Sequence, residues 1–240
     1  MQAPTQTPLR AVLFDLDDTL WPAARLLANA EQQMMQYLAR HAPRVLENGA
    51  ELLRRERAEL LASQPQLQVD LWNLRLTVLR NALARSGTPD PQQTICAGAM
   101  QAYVKARNAV TLYADVQPVL RELKGNYLLG TISNGFADLQ QIGLAPFFQV
   151  RLAAHRFGRA KPDAEIFLAA CEALRIAPQQ AVYVGDDPEL DVLGARRAGL
   201  RSVWLKRNDV APRAHAQAES DADAVCADLR EMCAWLQQQT

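Results

Sequence analysis

Short apolar runs that end in small or acidic polar clusters alternate with longer stretches of helical spacing along much of the chain. Ala11–Phe14 runs into Asp15, Leu16, Asp17, Asp18 and Thr19, and residues 127–132 run into Ser133, Asn134 and Gly135. Residues 181–184 lead into Gly185, Asp186 and Asp187, Arg201–Leu205 leads into Lys206 and Arg207, and residues 148–153 form a weaker fifth run. Runs this short, without polar alternation, predict strands buried on both faces of a parallel sheet. Between them, a helix over 188–198 has Asp187 as its cap, Pro188 in its first turn and Gly199 as its stop. Another over 163–174 places Ile166, Phe167, Ala170 and Leu174 on one side. Strands separated by helices of this length imply right-handed β-α-β crossovers.

Residues 22–108 have a different texture, with no strand candidate of similar quality. Leu27, Ala30, Met34, Tyr37 and Leu38 make one amphipathic stripe, and Leu71, Leu74, Val78, Leu79 and Ala82 another, stopped by Gly87. A third helix is expected to start at Asp90-Pro91 and run through Ile95, Ala99, Met100, Tyr103 and Val104. This reads as a helical insertion over 21–108 in an α/β core formed by 1–20 and 109–240. A closing helix is expected over 222–238.

Composition removes several classes of function. Lys+Arg and Asp+Glu both number 26, so no basic excess exists to neutralise nucleic-acid phosphates. The 49% apolar and 22% charged content is ordinary for a globular chain of 240 residues. Four scattered cysteines without a C-x-x-C pair read as reduced thiols. Three separated histidines (His41, His155 and His215) argue against a His-rich zinc site. The N-terminal segment offers only Ala11–Phe14 as an apolar stretch before Asp15, neither a secretory signal nor a membrane span. The expectation is a soluble cytoplasmic protein that engages no membrane.

In an open α/β sheet, ligands bind at the carboxyl ends of the strands, where these polar clusters fall. Asp15, Asp17, Asp18, Asp186, Asp187 and Asp191 can converge on one crevice. Carboxylates that close repel one another, and an all-oxygen set without His or Cys suits a hard cation, Mg2+ above all. Ser133, Asn134 and Gly135 mark a strand-to-helix turn whose free N–H groups and hydroxyl suit an anion, and Lys161 beside Pro162 adds a positive charge. Each cluster alone also makes a good turn or cap. Their joint occurrence, in this order and each after an apolar run or in the loop that follows one, favours phosphoryl transfer.

With FDLDDTLW at 14–21, ISNG at 132–135, GRAKPDAEIF at 158–167 and VGDDPELDVLGARRAG at 184–199, the chain resembles the haloacid dehalogenase superfamily, subfamily I, phosphatase branch. The resemblance implies a Rossmann-like parallel sheet with helices on both faces and a mobile helical cap. It implies Asp15 as nucleophile forming an aspartyl-phosphate, and Asp17 as general acid/base with its backbone carbonyl on Mg2+. Ser133, Asn134 and Lys161 correspond to phosphate-binding positions, and Asp15, Asp17 and Asp186 to the metal set. Asp191 and Asp187 are expected to orient the metal site, Asp187 also as a helix cap.

Related dehalogenases lack an acid where this chain has Asp17, because halide leaves without a proton. Phosphomutases keep that acid but usually carry glycine in place of Asp18. The reading is therefore a Mg2+-dependent phosphatase of a small phosphorylated metabolite, with flavin mononucleotide or a related ribityl phosphate favoured over nucleotides and sugar phosphates. Phosphomutase, dehalogenase, phosphorelay receiver and non-catalytic binding protein remain alternatives. Trp21, Trp72, Arg75, Tyr103 and Arg107 are candidates to face the leaving group, and each is also a plausible packing residue.

Overall fold

The computed structural model describes residues 7–91, 93–210, 219 and 221–239; His215 lies outside them. The chain divides into two compact units, one of Met1–Pro22, Thr111–Asn134 and Gly143–Thr240, the other of Ala23–Val110 and Gly135–Ile142.

The first unit is built on a six-stranded sheet in the order β3-β2-β1-β4-β5-β6, every pair parallel. The strands are β1 (Ala11–Phe14), β2 (Leu128–Ser133), β3 (Val150–Ala153), β4 (Ala181–Gly185), β5 (Arg201–Leu205) and β6 (Ala224–Cys226). All four residues of β1 are buried, as a central strand covered on both faces requires. Ala11 and Leu13 share a face with Ala181 and Tyr183. That face packs on Ile166, Phe167, Ala170 and Leu174 of the helix Ala164–Leu174, which Asp163 caps through the N–H of Glu165.

Two expectations are corrected here. The segment expected to close the chain as one helix opens instead with β6, and the helix itself covers Leu229–Gln237 behind a cap at Asp228. The helix expected over 188–198 begins as a π-helical stretch, Pro188–Leu193, and becomes α-helical only over Gly194–Arg197. Its ends are as expected: Asp187 accepts from the N–H groups of Glu189 and Leu190, and Gly199 has φ +82°.

The second unit holds α1 (Ala23–His41), α2 (Glu51–Ser63), α3 (Leu71–Arg85) and α4 (Thr94–Arg107) around a core that includes Ala30, Met34, Leu38, Val78, Leu79, Ala99 and Met100. α2 has no counterpart among the sequence expectations. Its buried positions are Leu53, Glu56 and Leu60, and the Glu56 carboxylate forms an ion pair with Arg85 at 2.8 Å. α4 begins later than Asp90-Pro91 suggests, because Asp90 reaches forward to the N–H groups of Ile95 (3.1 Å) and Cys96 (2.9 Å). Those donors hold the Asp90 carboxyl below its usual range.

The short segment Gly135–Ile142, expected with the sheet, belongs to the helical unit. Asn108 explains the attachment: it accepts from the N–H of Asp138 at 2.9 Å and donates to Gln141 at 3.2 Å. All four cysteines are buried and free. Among the described residues no helix is long and apolar enough to cross a membrane.

Candidate active site

Because β1 lies between β2 and β4, the loops that follow these three parallel strands leave the sheet at one edge. Asp15 continues β1 by one residue, its N–H still bonded to the Val184 carbonyl at 2.9 Å. Ser133 is the buried last residue of β2, and Asp186 directly follows β4. Lys161 arrives from the loop before the helix Ala164–Leu174. Its backbone N–H donates to Asn134 Oδ1 at 2.8 Å, and Asn134 Nδ2 donates to the Lys161 carbonyl at 3.0 Å. The Asn134 side chain, expected on the anion, is thus engaged in placing Lys161.

The buried Lys161 ammonium donates to Asp15 Oδ1 (2.5 Å), Asp191 Oδ1 (2.6 Å) and the Tyr183 hydroxyl (2.9 Å). These use all three of its donors. The Tyr183 hydroxyl in turn donates to the Ile132 carbonyl at 2.7 Å. Burial works against the ammonium, yet the two carboxylates outweigh it and hold its pKa well above the ordinary lysine value. Burial pushes the Asp15 carboxyl up to about 7, against the pull of Lys161 and with added repulsion from Asp191.

Asp15, Asp186 and Asp191 are all buried, and each offers an oxygen within 4.8 Å of the others. Asp15 and Asp191 share the one Lys161 ammonium, and Asp186 lies beside both. Three buried carboxylates this close repel one another when all are ionised. An all-oxygen set of such carboxylates fits a hard divalent cation.

The segment after Asp15 is a closed turn. The Asp18 N–H donates to the Trp21 carbonyl and the Leu20 N–H to the Leu16 carbonyl, both at 2.8 Å. Asp18 has φ +59°, a left-handed conformation that glycine takes most easily and Asp tolerates. Asp17 Oδ1 accepts from the Trp21 indole at 2.8 Å. The Thr19 hydroxyl donates to Asp186 Oδ1 at 3.4 Å.

On the far side of the cluster, Asp191 Oδ2 accepts from the Asp187 N–H at 2.9 Å, and the Asp186 carbonyl accepts from the Trp204 indole at 2.9 Å. Gly185 is required here, since a Cβ would run into the Asp191 side chain.

Of the leaving-group candidates, Trp21 is fully buried and committed to Asp17, so its ring is not presented for stacking. Within the helical unit, Trp72, Arg75 and Tyr103 come together around Phe136. The Arg75 guanidinium lies 3.8 Å from the Tyr103 ring centre, and Trp72 meets Phe136 edge-on at 5.5 Å. Arg75 also bonds Glu31 at 3.2 Å. Arg107 is buried in the last turn of α4. Phe136 and Tyr183 went unnoticed in the sequence. Their signals were an aromatic directly after Ser133-Asn134-Gly135, and a tyrosine inside a run buried on both faces, whose hydroxyl needs a partner.

A parallel sheet that gathers buried carboxylates and a lysine at the carboxyl ends of its strands is the frame of a hydrolase. This chain belongs to the haloacid dehalogenase-like hydrolase family, whose family model matches residues 9–199. Among its relatives is the 5-amino-6-(5-phospho-D-ribitylamino)uracil phosphatase YigB of Escherichia coli, 27% identical over 82% of this chain and 84% of that protein. Another is a glyceraldehyde 3-phosphate phosphatase of Methanopyrus kandleri, 32% identical over 85% of this chain and 88% of that one. A solved structure described as a 2-haloacid dehalogenase from Pseudomonas syringae pv. Tomato is 33% identical with a TM-score of 0.89, covering 97% of this chain and 100% of that one.

Proposed function

We propose that this hydrolase cleaves a small phosphate monoester through a phosphoaspartate formed on Asp15. The observation that carries the reading is the pairing of two carboxylates with different partners. Asp15 lies 2.5 Å from the Lys161 ammonium, and Asp17, two residues on, is held by an indole N–H instead. One group is thereby suited to attack and the other to proton transfer.

In the first step an Asp15 carboxylate oxygen attacks phosphorus. The bond from phosphorus to the ester oxygen breaks, and Asp17 gives its proton to that oxygen. In the second step Asp17 takes a proton from the water that attacks phosphorus. The bond to Asp15 then breaks, and inorganic phosphate and a free Asp15 carboxylate result. Lys161 favours the ionised form of Asp15 against its burial and aims it, and with the Ser133 hydroxyl it opposes the charge of the phosphoryl oxygens. Mg2+ held by Asp15, Asp186 and the Asp17 carbonyl would supply charge neutralisation for the carboxylates and the phosphoryl group. Asp191, tied to Lys161 and to the Asp187 N–H, orients this set.

The named activities of the two phosphatase relatives support a small phosphorylated metabolite, and the Escherichia coli relative supports a ribityl phosphate in particular. The dehalogenase described for the Pseudomonas syringae structure favours a second reading, halide displacement by Asp15. Against it stands Asp17, since a departing halide needs no proton.

The deciding experiment measures phosphate release from flavin mononucleotide, ribitylaminouracil phosphate, glyceraldehyde 3-phosphate and a nucleotide, and chloride release from 2-chloropropionate. Phosphate release that EDTA abolishes and Mg2+ restores is expected. Chloride release without phosphate release would overturn the proposal. Stoichiometric phosphorylation without turnover would point to a receiver instead.

A further inference from the structure

Trp21 is fully buried, and its indole N–H donates to Asp17 Oδ1 at 2.8 Å. The two residues are also joined through the backbone by a parallel bridge, and the Asp18 N–H closes the same turn onto the Trp21 carbonyl at 2.8 Å. An indole nitrogen only donates and never accepts, and in a neutral carboxyl the carbonyl oxygen is a better acceptor than the hydroxyl oxygen, so the oxygen that faces the indole is the one without the proton. Rotation of the Asp17 carboxyl would exchange its two oxygens, and the fixed donor opposes that rotation.

We infer that Trp21 is a positioning residue that assigns the transferable proton of Asp17 to Oδ2 by keeping Oδ1 as an acceptor. The inference rests on Asp17 acting as the acid of the proposed reaction. It gives Trp21 a part in proton delivery rather than in substrate stacking. The geometry matters because proton transfer from a correctly placed group contributes on the order of 10² to 10⁴ in rate, and an acid with its proton on the wrong oxygen is lost for that encounter.

The test compares kcat/KM for an alkyl phosphate, whose leaving oxygen needs a proton, with that for p-nitrophenyl phosphate, whose leaving group does not. Trp21→Phe keeps an aromatic ring and removes the donor. It is expected to lower the alkyl value about tenfold or more and to change the aryl value less than about threefold. If it does not fold, 3-benzothienylalanine at position 21, which replaces the N–H with sulfur at nearly the same shape, carries the same comparison. Asp17→Asn is measured in parallel, and the double variant should lose no more than Asp17→Asn alone. Equal losses on both substrates, or an unchanged alkyl value, in the position-21 variant would overturn the inference. If Asp17→Asn itself spares the alkyl substrate, it is the acid role of Asp17 that fails.

Discussion

Arg207 and Asp115 form a buried ion pair at 2.7 Å, and the same guanidinium holds the Thr19 carbonyl through Nε (3.3 Å) and Nη2 (2.9 Å). Asp115 Oδ2 also accepts from the Leu229 N–H at 2.7 Å. One charged pair thus ties the turn after β1 to the start of the last helix, while the Thr19 hydroxyl points to Asp186. Removing one member of such a pair leaves the other buried and uncompensated. Asp115→Ala is expected to cost about 3–5 kcal/mol, to be read from urea unfolding. A loss below about 1 kcal/mol would show that water reaches Arg207 and that the pair does not hold the turn.

Arg207→Lys keeps the charge but cannot serve a carbonyl and a carboxylate in one planar fork. It is expected to fold with reduced stability and to lower kcat by loosening the Thr19 turn. Wild-type kcat in this variant would confine the pair to a stabilising role.

Tyr183→Phe removes a hydroxyl that accepts from Lys161 and donates to the Ile132 carbonyl, leaving both buried groups short of a partner. A loss of about 1–3 kcal/mol in stability is expected, together with lower kcat as Lys161 gains freedom. Unfolding curves and steady-state kinetics on the same preparations check both parts.

Gly185→Ala places a methyl group against the Asp191 carboxylate. Since Asp191 touches Lys161 and the Asp187 N–H, the displacement is expected to reach the carboxylates proposed to hold Mg2+. Weaker Mg2+ activation is the expected result, with a stability loss of about 1–3 kcal/mol from overpacking. An unaltered Mg2+ titration of activity would place Asp191 outside the metal's influence.

Asp15→Asn is expected to abolish turnover and phosphoenzyme formation while the fold persists. Quenched reactions analysed by mass spectrometry should find the phosphoryl group on Asp15 in the wild type and nowhere in the variant. A folded, active Asp15→Asn enzyme would rule out the covalent route.

The loops after β1, β2 and β4 were legible because each follows a buried apolar run, so a strand end and its polar cluster are written side by side. β6 was not, since a strand of Ala224–Cys226 is too short to show a pattern next to a strong helical stretch. α2 escaped because a charged residue, Glu56, occupies one of its buried positions, and its partner Arg85 lies on another helix. The supports of the site were hidden for the same reason. Tyr183, Trp204, Arg207 and Asp115 act through partners distant in the chain, and no spacing announces such contacts. Trp21 was visible as a tryptophan beside the acidic segment, but burial decided that its N–H, not its ring, is what meets Asp17.

The doubly bonded amide of Asn134 has a mechanical result. A lysine on one crossover and a hydroxyl at the exit of another strand are riveted into a single brace, so neither can drift alone. Any drift of the β2 terminus drags the positive charge beside Asp15 with it. The spacing between cation and hydroxyl is thereby kept by a neutral side chain that need never touch what the enzyme cleaves.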